Sequence, residues 1–176
     1  MKLKKIYKYL GILIFFMITT NARSEIKIAY FDLNFIMAKS KAGISISKQF
    51  NNIKKKNIEK LNKMEKDLNS KDQKLISQKN ILSKEDFTKQ VKSLRKEAID
   101  YENIRRNLIK ESNNRFIKAQ SELVKKLTPI LGKYSQDNDI TLILQKKMVV
   151  IGKTELDITK DILELTNKEI NSIKVN

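Results

Sequence analysis

Between about Ala42 and Thr128, apolar residues return on a heptad comb. They run Leu61, Met64, Leu68, Leu75 and Leu82, break at Ser83, Lys84, Glu85 and Asp86, and resume at Phe87, Val91, Leu94, Ala98, Tyr101 and Leu108. Such a comb predicts two long helices joined by a tight reversal. Facing residues of an antiparallel hairpin must have numbers of constant sum. Here Leu82 faces Phe87, Gln78 faces Val91, Leu75 faces Leu94, Lys71 faces Ala98, Leu68 faces Tyr101 and Met64 faces Arg105. Further from the reversal, Leu61 faces Leu108, Ile53 faces Phe116, Phe50 faces Ala119 and Ile46 faces Leu123, every pair summing to 169. Ser83 and Asp86 form a capping box that starts the second arm. Between Ile53 and Leu61 the spacing runs four and four through Asn57, a stutter that relaxes the supercoil and predicts bending there.

The chain has no cysteine and no histidine, and only four glycines. Thiol nucleophiles, disulfides, the usual zinc ligands, the usual neutral-pH general base and a glycine-rich phosphate loop are therefore excluded. The carboxylates fall mostly on exposed coiled-coil positions, the ordinary place for solvated ion pairs. The reading is of a protein that is no enzyme and needs no cofactor or metal.

The net charge of +17 is unevenly spread. Residues 39–128 hold 24 basic and 11 acidic side chains, whereas residues 129–176 hold seven of each. An AT-rich coding bias raises lysine, asparagine and isoleucine together, but does not by itself leave the flanks neutral. We read the hairpin as a basic prong that attracts polyanions or acidic surfaces.

Residues 1–22 read as a signal peptide: Lys2 to Lys8 are a basic start, Leu10 to Ile18 an apolar run, and Ala22 a cleavage position. The alternative is an uncleaved membrane anchor, although the run is short for one. Glu25 to Leu33 reads as a strand. Asn34 caps a short helical turn through Met37, and Gly43, Ser45 and Ser47 mark the joint into the first arm. Pro129 either kinks the second arm or begins a new helix. Ile140 to Leu144 and Met148 to Ile151 read as a hairpin of two buried strands on the turn Gln145-Lys146-Lys147. Asp157 or Thr159 then caps a last helix whose apolar face is Ile158, Ile162, Leu163, Leu165 and Ile170. Residues 23–41 and 129–176 thus form a small body, with the arm at 42–128 inserted and its tip near 83–86. So small a sheet leaves open edges that invite pairing with another copy.

With the seam assigned, Ile58, Ile76, Ile81, Ile99, Ile104, Ile109 and Ile117 remain off it. Either they pack at the rim or on a neighbouring prong, or they line a low-affinity surface that holds an unfolded apolar chain while lysines hold its acidic residues. Arg105, Arg106 and Lys110 are the densest guanidinium cluster of the second arm. They snorkel past Met64 and pair with Glu102, or they grip phosphate and carboxylate groups; the first reading is the simpler.

The first strand EIKIAYFDLNFIM, the joint KAGIS, the long basic hairpin, then DNDITLIL, MVVIG and LDITKDILELTNKEI resemble the Skp/OmpH family of periplasmic chaperones. The resemblance implies an α+β homotrimer: a small β-sheet or barrel body completed by oligomerisation, with antiparallel coiled-coil hairpins as tentacles around a cavity. It implies an ATP-independent periplasmic holdase whose clients are unfolded outer-membrane β-barrel proteins, with some affinity for anionic lipid or lipopolysaccharide near Arg105 and Arg106. The rival reading is an inner-membrane-anchored envelope coiled coil that bridges partners. Nucleic acid, favoured only by charge, is not expected as the physiological partner, because export argues against it and the prong has few aromatic residues to stack bases.

Overall fold

The computed structural model describes residues 26–176, so the expectations for residues 1–22 and for the first residue of the opening strand lie outside it. A strand β1 (Ile28–Phe31) leads into a short helix α1 (Leu33–Lys39), then the long helices α2 (Lys41–Ser77) and α3 (Lys84–Asp137). A second strand β2 (Leu142–Gln145) follows, and a helix α4 (Thr159–Glu169) comes near the end. The architecture is mostly helical with a parallel two-stranded sheet, in which Ile28 pairs with Leu142 and Phe31 with Gln145.

Local chemistry sets the joints. The strand stops at Phe31, and Asp32 rather than Asn34 caps α1, its Oδ1 accepting from the Phe35 amide at 3.0 Å. A side chain one residue outside the helix reaches that orphan N–H; Asn34 already lies within the first turn. Fully buried Ser40 ends α1 and caps α2, accepting from the Gly43 amide at 3.0 Å. Gly43 therefore sits inside α2, where a Cβ would collide with the Met37 carbonyl oxygen. The reversal occupies Gln78 to Ser83, ahead of the expected 83–86, since α3 already begins at Lys84. The Ser83 capping box closes as expected, with Ser83 Oγ accepting from the Asp86 amide at 3.1 Å and donating to Asp86 Oδ2 at 2.7 Å. Pro129 neither ends nor restarts the helix, because α3 runs through it to Asp137.

The expected hairpin does not form. Lys146–Met148 is a 3-10 turn, and Val150 and Ile151 are 97% and 92% exposed. The chain instead wraps Tyr30. Its hydroxyl donates to the Lys153 carbonyl at 3.1 Å, and Gly152 lies so close that a Cβ would stand 2.8 Å from Tyr30 Cε1. The far edge of β1 is then taken by the residues beyond this loop, Tyr30 bridging to Asp157 and its carbonyl accepting from the Ile158 amide at 2.9 Å. Ile158, rather than Asp157 or Thr159, is the N-cap of α4 and brings no side-chain cap. Asp157 just outside it braces the joint, its Oδ1 accepting from the Thr159 amide at 3.0 Å and from the Thr159 hydroxyl, whose oxygen accepts in turn from the Asp32 amide at 2.8 Å.

The core lies where these pieces meet the root of the arm. Ile36, Ile46, Leu123, Leu127 and Ile162 are fully or almost fully buried there. Beyond α4 the chain is extended, and Ile170, Ile173 and Val175 are buried in the same cluster. Gln49 holds this tail as a strand neighbour would, donating from Nε2 to the Ile173 carbonyl at 2.7 Å and accepting at Oε1 from the Val175 amide at 3.1 Å.

Two expectations follow. Gly43→Ala should destabilise the fold by about 3 kcal/mol, read as a lower urea midpoint by circular dichroism, because the backbone of α1 has nowhere to go. The second concerns Asp157. Burial by itself would push its carboxyl up, but hydrogen bonds from the Thr159 hydroxyl, Lys146 and the Thr159 amide outweigh that and hold it below the usual carboxylate range. Lys146 is raised by its hydrogen bond to Asp157, at 2.9 Å. The carboxylate contribution is present above the ordinary carboxylate range and lost as pH falls through the lowered value; the lysine contribution is present below the ordinary lysine value and lost as pH rises through the raised one. Asp157→Asn should therefore flatten the stability profile at both its acid and alkaline ends.

Candidate functional site

The two arms meet along a seam that follows the expected register near the root and drifts from it further out. Ile46 and Leu123 are fully buried and Asn57 Nδ2 donates to Ser112 Oγ at 2.9 Å, while Phe50, expected opposite Ala119, stacks one layer over on Phe116 with centroids 4.5 Å apart. Towards the tip, Lys71 bridges Asp67 on its own helix at 2.8 Å and Glu97 on the other at 2.7 Å. Hydrogen bonds to Asp67 and then Glu97 hold the Lys71 ammonium above its ordinary range. Ala98 and Arg105 are exposed, whereas Glu97 and Ile104 are partly buried. The seam of α3 thus takes the other legitimate heptad phase between Leu94 and Leu108. That phase brings an acid to Lys71 and turns an isoleucine inward instead of an arginine.

Ile104 accordingly leaves the expected lining. Ile58, Ile76, Ile81, Ile99, Ile109 and Ile117 remain exposed, between 52% and 80%. They stand on both helices among lysines, which is the mixed surface the sequence predicts. Ile58 and Ile109 come together across the two helices. They edge a groove of ≈ 480 Å³ also lined by Phe50, Lys54, Asn57, Leu61, Arg105, Leu108, Ser112 and Asn113.

Of the three basic residues singled out, Arg105 alone makes the pairing with Glu102 that the simpler reading gave. Arg105 Nη1 pairs with Glu102 at 3.3 Å, and Arg106 Nη2 donates to Asn103 Oδ1 at 2.7 Å, all on the exposed face. Such a pair contributes about 0–1 kcal/mol and exchanges readily with solvent or a ligand. Arg105 reaches the groove; Arg106 and Lys110 are exposed outside its lining, so the three form no common pocket. Among the described residues no acidic cluster is arranged to hold a metal ion, and no helix is long and apolar enough to cross a membrane.

A family model described as outer membrane protein (OmpH-like) matches residues 27–165, which takes in both strands, both arms and most of α4. The chain belongs to that OmpH-like family. Among solved structures, a candidate outer membrane chaperone (OmpH-like) from Caulobacter crescentus CB15 superposes with a TM-score of 0.80. It is 16% identical and the match covers 85% of this chain and 89% of that one, so what the two share is the fold. No curated protein matches the chain.

Within this OmpH-like fold, the groove is the feature that sequence reasoning missed. The stutter marked Asn57 as a place of relaxed supercoil, but Ser112 drew no notice. The signal was present: Asn57 and Ser112 satisfy the same constant sum of 169 as the apolar pairs, so a polar layer facing a polar layer was legible. Ser112 also donates to the Leu108 carbonyl at 2.6 Å, which satisfies the pair within the arm. Changing only Ser112 to leucine should cost roughly 1 kcal/mol by stranding the Asn57 amide. Asn57→Leu/Ser112→Leu together should instead match or exceed the parent in melting temperature, since both polar partners leave at once.

Proposed function

We propose that the protein is an ATP-independent holdase of the bacterial periplasm that keeps unfolded outer-membrane β-barrel proteins from aggregating before they insert. The observation that carries this reading is the arm surface: six exposed isoleucines distributed over two long helices, set in a field of +13 between residues 39 and 128. Such a surface suits a client with no fixed shape. Lysines draw in its acidic residues, isoleucines and lysine methylenes make many weak apolar contacts, and no nucleotide is required. Membership of the OmpH-like family and the fold shared with the Caulobacter protein support a chaperone role.

The working form in this reading is a homotrimer. Met148, Val150 and Ile151 follow β2 as a solvent-facing apolar run, and Ile26, Ile28 and Leu142 are exposed as well. Open sheet edges of this kind invite pairing with other copies. Three arms then enclose one client, and their weak contacts add through high effective concentration. Export follows from the basic and apolar start of the chain, with a mature protein beginning at Arg23.

Native mass spectrometry of the chain from Arg23 onward, mixed with a denatured outer-membrane barrel, tests this directly. Three copies with one client are expected; a one- or two-copy species that ignores the client would sink the reading. Replacing Ile76, Ile81, Ile99 and Ile117 with serine should shorten client retention several-fold while changing the melting temperature by no more than about 2 °C, because surface changes of this kind are nearly neutral for stability.

A further inference from the structure

We propose that the groove at the Asn57–Ser112 layer is a discrete docking site for an extended client segment in which an aromatic or branched apolar side chain is flanked by carboxylates. This rests on the holdase reading and gives one part of the arm a sequence preference. Three observations carry it.

The groove is built into the seam rather than formed by chance between surface side chains. At this layer two short polar residues meet across the arms at 2.9 Å where neighbouring layers set large apolar residues together, and the missing volume is the floor of the groove. Its size, ≈ 480 Å³, is in the range of sites that take a compact ligand. It holds one or two side chains of an extended chain.

Its walls are apolar and its rim is basic. Leu61 and Leu108 rise from the seam, and Ile58 and Ile109 stand half-exposed at the mouth. The charged members of the lining are Lys54 and Arg105, with no carboxylate among them. Lys54 already lies over the Phe50 ring, its Nζ 5.6 Å from the centroid, which fixes a cation beside an aromatic floor. Arg105 is tied only to the half-exposed carboxylate of Glu102, so a client carboxylate competes for it at little cost. An apolar side chain between two acids meets each of these features in turn.

The rest of the arm lacks this combination. Ile76, Ile81, Ile99 and Ile117 are exposed, yet none lines this groove. They serve the diffuse contacts of the previous subsection, and the groove supplies a first, registered one.

Isoleucine-methyl NMR on the mature chain from Arg23 onward reads the site. The probe is a flexible dodecapeptide with one phenylalanine between two aspartates, set beside its asparagine counterpart and its phenylalanine-to-serine counterpart. The Ile58 and Ile109 signals should move first, with Ile76 and Ile81 unmoved. The asparagine peptide should bind about fivefold more weakly and the serine peptide about tenfold. The Asn57→Leu/Ser112→Leu chain, with the groove filled and the fold at least as stable, should lose the Ile58 and Ile109 shifts.

Equal affinity for acidic and neutral peptides overturns the proposal, as does binding that survives in the filled variant. So do shifts spread evenly over all the exposed isoleucines. If Ile58 and Ile109 answer to phosphatidylglycerol vesicles and not to peptide, the groove is a lipid seat and the proposal fails. A parent chain that keeps a denatured outer-membrane barrel soluble without shifts at these two residues loses the groove alone; one that does neither loses the holdase reading as well.

Discussion

Everything in this molecule hangs on the apolar cluster at the root of the arm. Two helices of 37 and 54 residues meet along a seam that is mostly only half-buried beyond the root, and such a seam cannot by itself hold a prong on the order of 60 Å long in one direction. The direction comes from Ile36, Ile46, Leu123, Leu127 and Ile162, contributed by α1, both arms and α4 and closed to water. Residues from the start and the end of the described chain are stitched over that cluster, β1 against β2 and the tail against Gln49. The fold therefore protects its least replaceable contacts by placing them where segments from both ends and the middle of the described chain converge.

Away from the root the balance reverses. Outward of Ser112 along the arm, Leu75 is the one buried apolar side chain among the described residues, and cross-arm attachment is shared with polar groups such as Lys71 with Glu97. Little apolar area is used up in holding the arm closed. What remains faces solvent as isoleucine and lysine, a surface whose contacts with any one partner are weak and numerous. A prong anchored firmly at one end and lightly zipped along its length suits a partner that has no shape of its own.

The arm was legible because its signal is periodic and local. Ser83 and Asp86 marked the start of α3 from four consecutive residues, and the constant sum set Ile46 against Leu123 without any tertiary information, although Ser112 opposite Asn57 went unread. Between Leu94 and Leu108 the comb put Ala98 and Arg105 in the seam, where the structure has Glu97 and Ile104. The choice depends on which residue the other helix presents, and Lys71 presents a charge. The body was less legible for the same kind of reason. Met148 to Ile151 has strand composition, but whether such a run pairs, and with which edge, depends on what else reaches that edge. Here Tyr30 is wrapped by the loop at Gly152, and Asp157 and Ile158 occupy the edge of β1.

What the amino-acid sequence determined by itself was the hairpin, its length, its capped reversal, its stutter and its basic charge, since each depends on residues at fixed short spacing or on composition. Tertiary structure alone decided the parallel pairing of β1 with β2, the course of the tail along Gln49, the inward turn of Ile104 and the open groove beside Asn57. Those depend on contacts between residues from 26 to more than 100 positions apart, where side-chain volume, charge and edge availability, not periodicity, select among arrangements that the sequence alone leaves equivalent.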